Sequence, residues 1–211
     1  MQALGLDMAR QITLHLDQPD VTTYRSRLAK TVRPGDVVCG FSLGAIAAAH
    51  AADVLPEAAI MVLIALNPYP DAAEKRPGRE ALRAAALSGA LEDVFAVAAP
   101  RLFATPTPFL EQQVTEMARQ VACHIDAQTA LAISRPGVFP VLRQSRAPVI
   151  LITGEVDQQT PPHLAQEAAQ VAPKAVVQIV PRLGHFCLLE DPGAVAAAIR
   201  QGFERLGVEG C

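Results

Sequence analysis

The chain has 211 residues, a length that suits one domain with a substantial hydrophobic core. Hydrophobic residues make up 51% of it and charged residues 18%, a balance that excludes an intrinsically disordered protein. The formal net charge is only −3 and no basic stretch occurs, so we expect no nucleic-acid partner. The longest apolar run, residues 58–66, is too short to cross a bilayer, so we expect no membrane association either.

Cysteine usage and the first residues bear on the cellular compartment. The four cysteines show no C-x-x-C spacing, which favours free thiols in a reducing environment. The first five residues, Met-Gln-Ala-Leu-Gly, lack the charged-then-apolar pattern of a signal peptide. We therefore expect a soluble, cytoplasmic protein.

Short apolar runs alternate with longer amphipathic stretches along most of the chain, which is typical of an α/β protein with a parallel sheet covered by helices. The runs are rich in Val, Ile and Leu, as expected for strands buried on both faces. In chain order, the predicted strands are residues 12–16, 36–41, 59–65, 149–153 and 175–180. The predicted helices that alternate with them are residues 21–31, 43–54, 162–171 and 193–206. Asp191, directly before a proline, is the predicted N-cap of the last helix.

The middle of the chain follows a different pattern. It contains no convincing strand, and its helical patterns are interrupted by prolines. The predicted helices in this part are residues 79–87, 91–98, 108–121 and 127–134. We therefore predict an α/β core formed by residues 1–70 and 147–211, with residues 71–146 inserted as a helical cap. Such an insertion would lie over the carboxyl ends of the strands, where open α/β sheets bind ligands.

The motif Gly-Phe-Ser-Leu-Gly at positions 40–44 is the strongest local signal for chemistry. It lies between a predicted strand and an Ala-rich predicted helix, which is the context of a nucleophile elbow. In such a turn Ser42 projects from the carboxyl edge of the sheet, and glycines flank it because side chains there would clash. The backbone N–H of Leu43 would then face a developing oxyanion.

A serine hydroxyl is a weak nucleophile unless a base removes its proton, so a histidine and an acid are expected downstream of Ser42. His185 is the best candidate for the base, because it follows a predicted buried strand and Gly184 permits a sharp turn. Asp157, just beyond the end of another strand, is the candidate acid, and Glu155 is the weaker alternative. Three other histidines fit structural or surface positions: His15, His50 and His163.

The three candidates follow three separate predicted strands, and they occur in the chain order serine, aspartate, histidine. Because parallel strands end at one edge of a sheet, this order favours a single constellation over three unrelated residues. No two histidines are spaced i, i+4, and neither an H-E-x-x-H motif nor a glycine-rich phosphate loop occurs. We therefore expect neither a metal nor another cofactor.

These segments resemble the α/β-hydrolase superfamily. Residues 40–44 are similar to its nucleophile elbow, and residues 151–157 with Thr-Pro-Pro at 160–162 to its acid segment. Gly-His-Phe at 184–186 with Leu-Glu-Asp-Pro at 189–192 is similar to its histidine loop and last helix. The chain most resembles the capped esterase and enol-lactonase branch. The resemblance implies cofactor-free hydrolysis of a small carboxylic ester, thioester or lactone through an acyl-enzyme. Candidate substrate-binding residues are Phe41, Phe109, Met117 and His124.

The resemblance has one departure, which lies before the elbow. Only one predicted strand precedes residue 36 and no His-Gly pair occurs there, so the fold is predicted to be N-terminally shortened and to lack the second oxyanion donor. An exposed sheet edge would invite pairing with another chain, so a homodimer is expected. One alternative is a catalytically inactive binding protein of the same fold. Another is a different reaction at the same triad, such as carbon–carbon bond hydrolysis or haloperoxidase-like chemistry.

Overall fold

Four parallel strands form the centre of the fold in the computed structural model, which describes residues 11–207. They lie in the order β1-β2-β3-β4, and each pairs in parallel with the next. Their bounds are Val37–Phe41 (β1), Ile60–Ile64 (β2), Val149–Gly154 (β3) and Ala175–Val180 (β4). These are four of the five predicted strands, and they confirm the α/β-hydrolase architecture of a parallel sheet flanked by helices.

Burial separates the two central strands from the two outer ones. Every residue of β2 and β3 is buried, which explains their uninterrupted apolar sequences. β1 and β4 are only partly covered, as expected for strands at the ends of a sheet. The sheet therefore has a dry centre, and within residues 11–207 no further strand pairs with the outer edge of β1 or of β4.

Helices cover both faces of the sheet. On one face, α1 (Val21–Thr31), α2 (Leu43–Ala49) and α8 (Pro162–Val171) contribute to the larger apolar cluster. On the other face, α10 (Pro192–Arg205) packs against the strands through residues that include Ile199 and Phe203. No helix in the described part of the chain combines the length and hydrophobicity needed to cross a membrane.

Side-chain caps fix where several of these helices begin. Asp20 accepts a hydrogen bond from the N–H of Thr23 at 2.9 Å, at the start of α1. Asp191 accepts one from the N–H of Ala194 at 2.8 Å, which confirms it as the N-cap of α10. The short helix α9 (Cys187–Glu190) directly precedes this cap.

The chain between β2 and β3 is helical throughout its regular parts. It contains α3 (Arg76–Ser88), α4 (Leu91–Ala98), α5 (Pro108–Val121), α6 (Ile125–Ser134) and α7 (Phe139–Leu142), with three short 3₁₀ helices. We call this segment the helical insert. The predicted bounds of α4 and α5 are confirmed, while α3 and α6 begin before their predicted starts. The division at residues 70 and 147, and the role of the insert as a cap, stay predictions.

A buried ionic contact joins the two ends of the helical insert. Asp71, at its start, accepts hydrogen bonds from Arg79 at 3.0 Å and from Arg135, beyond α6, at 3.3 Å. Burial alone raises the pKa of Asp71, but the two guanidinium groups outweigh it and hold the pKa below its ordinary value. The N–H of Val138 also donates to the carbonyl of Pro68 at 2.8 Å. The insert therefore leaves and re-enters the core at nearly the same place.

Two predicted elements differ from the structure. Residues 12–16 were expected to form a strand but have no regular secondary structure; they lead to α1, and only some of their apolar side chains pack on the core. The prediction was wrong because apolar alternation over five residues cannot supply the neighbouring strand that a sheet requires. The helix predicted over 43–54 ends at Ala49, where hydrogen bonds to the third preceding residue replace the α-helical pattern.

Candidate active site

Ser42 occupies a strained turn between β1 and α2. Its backbone has φ 51° and ψ −116°, a conformation that residues other than glycine rarely adopt. The turn is held by two backbone hydrogen bonds: the Ser42 N–H donates to Ile64 O at 2.9 Å, and the N–H of Ile46 donates to Ser42 O at 3.1 Å. The Ser42 hydroxyl does not cap α2, so it stays available to another partner.

The two glycines of the motif have different roles. A Cβ atom at Gly40 would lie 2.7 Å from the Cα of Ala45 and closer still to the carbonyl oxygen of Gly44, so only glycine lets β1 and α2 meet here. A Cβ atom at Gly44 would meet no atom of the described residues within 4 Å, apart from its chain neighbours and the backbone of its own helix. The expectation of a steric requirement is therefore correct at position 40 and wrong at position 44, because no side chain among residues 11–207 fills the space beside that position.

His185 connects Ser42 to Asp157. Its Nε2 lies 3.1 Å from the Oγ of Ser42, and its Nδ1 lies 2.9 Å from the Oδ2 of Asp157. His185 is 7% exposed, so its contact with Asp157 is buried, while its contact with Ser42 is partly open to solvent. Since the carboxylate can only accept, Nδ1 carries the proton and Nε2 is free to accept the Ser42 hydroxyl proton. The structure thus brings the three predicted residues into one hydrogen-bonded series.

Asp157, in the turn between β3 and α8, is only 2% exposed and is surrounded by donors. In addition to His185, it accepts hydrogen bonds from the N–H of Gln159 at 2.7 Å, the N–H of Thr160 at 2.9 Å and the Thr160 hydroxyl at 2.6 Å. Burial by itself raises the pKa of Asp157, but the hydrogen bond from His185, the positive charge that His185 carries when protonated, and the Thr160 bonds lower it overall. Asp157 is therefore held as a carboxylate.

Thr160 is a site residue that the sequence analysis did not identify. It appeared there only as part of the Thr-Pro-Pro segment before α8, although an Asp with Thr three residues later is a common local hydrogen-bonding pattern. The alternative acid, Glu155, is exposed and accepts from the N–H of Arg182 at 2.9 Å. Glu155 therefore braces the loop after β4, and Asp157 alone of the two candidates contacts His185.

Unusual backbone conformations concentrate at the carboxyl edge of the sheet. Among residues 11–207, three residues other than glycine have positive φ: Ser42 after β1, Ala65 after β2 and Arg182 after β4. Each conformation of this kind costs roughly 1–3 kcal/mol, so the surrounding structure must enforce it. Backbone strain of this kind is common at functional sites, and here it marks the edge that carries the Ser42–His185–Asp157 series.

Aromatic side chains border one side of this series. The ring of Phe41 lies 5.4 Å from that of His185 and 5.2 Å from that of Phe186, measured between ring centroids. Phe186 in turn lies 5.8 Å from Phe103, in the helical insert. Of the predicted substrate-binding residues, Phe41 is therefore next to His185.

The other three predicted substrate-binding residues lie in the helical insert, and no hydrogen bond or ring contact found among the described residues joins them to the series. Phe109 is 67% exposed and Met117 is 40% exposed, because α5 turns Val114 and Ala118 inward instead. His124 lies with its ring centroid 6.3 Å from that of His15. Their roles stay predictions. Residues 11–207 hold no group of three or more His, Cys, Asp or Glu side chains placed to bind a metal.

Comparisons with known proteins agree with this geometry. A sequence model of the Alpha/beta hydrolase family matches residues 5–198. No curated protein matches the sequence.

Similar solved structures include three enzymes. The esterase EaEST from Exiguobacterium antarcticum has a TM-score of 0.72 at 15% identity, over 89% of this chain and 75% of that one. A thermophilic esterase from Thermogutta terrifontis has a TM-score of 0.68 at 21% identity, over 93% and 75%. The enol-lactonase from Burkholderia xenovorans LB400 has a TM-score of 0.67 at 18% identity, over 89% and 75%. At these identities the likeness concerns the fold.

Proposed function

Because the chain belongs to the Alpha/beta hydrolase family, we propose that it is a serine hydrolase that cleaves a small carboxylic ester, thioester or lactone. The observation that carries the proposal is the unbroken series from Ser42 Oγ through the imidazole of His185 to the carboxylate of Asp157, with contacts of 3.1 and 2.9 Å. A nucleophile, a base and a group that orients the base are the parts that acyl transfer requires.

The first half of the reaction forms an acyl-enzyme. His185 Nε2 takes the proton of the Ser42 hydroxyl as Oγ attacks the substrate carbonyl carbon. Asp157 stabilises the imidazolium that results, and its low pKa keeps it ionised while it does so. The leaving alcohol, thiol or ring oxygen then takes the proton from His185, which leaves the acyl group on Ser42.

The oxyanion forms next to the start of α2. Leu43 is the first residue of this helix, and the first N–H groups of a helix have no acceptor within it. We assign the Leu43 N–H as an oxyanion donor, favoured further by the positive end of the helix dipole. In the second half of the reaction, His185 removes a proton from water, the hydroxide attacks the acyl carbon, and Ser42 leaves with the proton returned to it.

The substrate class is part of the proposal. The structural neighbours include enzymes described as esterases and an enol-lactonase, and on this likeness we propose an acyl compound as the substrate. The aromatic rings of Phe41 and Phe186 beside His185 provide an apolar wall suited to an acyl chain. We propose that the helical insert acts as the cap over this site and that Phe109, Met117 and His124 contact the substrate from it.

Substitution of the nucleophile tests the proposal. Wild-type protein should hydrolyse p-nitrophenyl acetate and react with a fluorophosphonate probe at Ser42. Ser42→Ala should lose turnover by a factor on the order of 10⁶, because no other group supplies the attacking oxygen. Ser26→Ala, which changes an exposed serine of α1, should behave as wild type. If folded wild-type protein takes up no probe and cleaves no ester, the alternative of a catalytically inactive binding protein replaces this one.

A further inference from the structure

The loop that carries His185 is held on both sides by backbone hydrogen bonds. The N–H of Gly184, directly before His185, donates to the Oε2 of Glu190 at 2.6 Å. The N–H of Phe186, directly after it, donates to the carbonyl oxygen of Leu102 at 3.0 Å. The peptide groups on either side of the base are therefore fixed by acceptors outside the loop, one from α9 and one from the helical insert.

The carboxylate of Glu190 also reaches the helical insert. Its Oε1 accepts a hydrogen bond from the N–H of Ala104 at 2.6 Å and a longer one from the N–H of Thr105 at 3.4 Å. One side chain thus joins the loop before His185 to residues 102–105 of the insert, an arrangement we call the Glu190 bridge. Hydrogen bonds from N–H groups to a carboxylate are shorter and roughly twice as strong as those between neutral groups.

The two backbones that the Glu190 bridge joins are in direct contact. A Cβ atom at Gly184 would lie 2.6 Å from the N of Ala104 and 2.8 Å from the carbonyl carbon of Phe103. Even one methyl group would force the loop and the insert apart. The insert therefore forms the surface against which the loop of the base is seated, and Glu190 fastens the two together.

We propose that Glu190 is a positioning residue that sets the place of His185 between Ser42 and Asp157, and that it makes the alignment of the base depend on the helical insert. This inference rests on the proposed function, since alignment matters for the transfer of the Ser42 proton. Glu190 has no contact with the reacting atoms and acts through the backbone of Gly184. A displacement of about 1 Å in a reacting group can cost on the order of 10² in rate, so a small shift of this loop is enough.

The kinetic test compares Glu190 with its neighbour. Glu190→Gln keeps one acceptor oxygen and turns an NH₂ group toward the other N–H, so kcat for p-nitrophenyl acetate should fall about tenfold. Glu190→Ala removes both acceptors and should lower kcat by on the order of 10²-fold, with KM for this small ester little changed. Asp191→Ala is the matched control: it removes the cap of α10, so it should lower Tm but leave kcat within about twofold.

A second readout does not depend on turnover. The proton on His185 Nδ1, bonded to Asp157, should give a downfield ¹H NMR signal that disappears in Asp157→Asn. The signal should persist in Asp191→Ala, shift in Glu190→Gln and shift or broaden in Glu190→Ala. If both Glu190 variants keep the wild-type NMR signal, and their kcat is no lower than that of Asp191→Ala, Glu190 does not position the base. If the protein hydrolyses no ester but the NMR signal still changes in the Glu190 variants, the proposed function is wrong, while the role of Glu190 in positioning His185 is supported.

Discussion

The two halves of the candidate site are held by different means. On the acid–base side, Asp157 accepts four hydrogen bonds from His185, Gln159 and Thr160, and the loop of the base is fastened before and after His185. On the Ser42 side, the serine follows the strand at one end of the sheet, and no described residue fills the space beside Gly44. Its turn depends on two backbone hydrogen bonds and on the close approach at Gly40.

The two halves of the site carry different energetic costs, and a different kind of contact offsets each cost. A buried carboxylate is expensive to desolvate, and the donors around Asp157 offset that cost. A strained turn is expensive in backbone conformation, and the fit between β1 and α2 enforces it at Ser42. We therefore expect substitutions on the acid–base side to act through lost hydrogen bonds, and substitutions on the nucleophile side to act through steric fit.

Asp157→Asn should give the largest loss on the acid–base side. The amide no longer fixes the proton on His185 Nδ1, so the tautomer that accepts from Ser42 is not enforced and kcat should fall on the order of 10⁴-fold. Glu155→Gln is the matched control, because Glu155 braces the N–H of Arg182 and does not contact the base. Steady-state hydrolysis of p-nitrophenyl acetate measures both. An equal loss of kcat in the two variants would show that Asp157 does not orient His185.

The paired glycines test steric fit on the nucleophile side. Gly40→Ala places a methyl group against the backbone of Gly44 and Ala45, so it should lower the free energy of unfolding by about 3 kcal/mol. Gly44→Ala meets open space on a helix and should leave stability within about 1 kcal/mol or raise it slightly. Urea denaturation of the two variants gives the comparison. Similar losses at both positions would contradict the open space beside α2.

Much of this fold could be predicted from the sequence because several signals agreed for the same elements. Continuous apolar runs located all four strands, and prolines and capping residues located α5, α8 and α10 to within a residue. The order of Ser42, Asp157 and His185 after separate strands predicted their meeting, because parallel strands end at one edge. Local pattern and tertiary structure point to the same answer in these regions.

What the sequence could not predict depends on contacts between distant segments. The apolar alternation of residues 12–16 does not indicate whether a neighbouring strand is present. The Gly-Phe-Ser-Leu-Gly motif likewise does not indicate that no described residue fills the space beside Gly44. Glu190 acts through the backbone N–H groups of Gly184 and Ala104, and backbone donors leave no trace in a sequence. In the helical insert, amphipathic periodicity identifies the packed face of α5 but not what its exposed residues contact.

Thr160→Val should have a moderate effect that also depends on pH. Losing the hydroxyl bond to Asp157 should lower kcat/KM about tenfold and reduce stability at neutral pH. The hydrogen bonds from Thr160 help to lower the pKa of Asp157 in the folded protein below its ordinary value of 3.8. A carboxyl whose pKa is lowered by folding stabilises the folded state above pH 3.8, and this stabilisation is lost as the pH falls through the pKa of the folded protein. The stability gap between wild type and variant should therefore shrink below about pH 4. Thr115→Val, on α5, is the control and should show no such convergence.

A substitution at the outer edge of β1, the strand that precedes Ser42, should give the smallest effect of these substitutions. Two hydrogen bonds show which backbone groups of β1 face β2: the N–H of Ser42 donates to Ile64 O, and the N–H of Ile60 donates to Asp36 O. The N–H and C=O groups of even-numbered residues therefore face β2, and those of Cys39 point away from β2. We propose that two copies of the chain pair along β1 in antiparallel orientation, with the backbone of Cys39 near the two-fold axis. Cys39→Lys would then place like charges opposite each other and weaken the dimer roughly fivefold, whereas Cys123→Lys, at an exposed cysteine of the helical insert, would not. Sedimentation equilibrium over a range of concentrations measures the difference, and a wild-type protein that stays monomeric throughout would show that this edge does not pair.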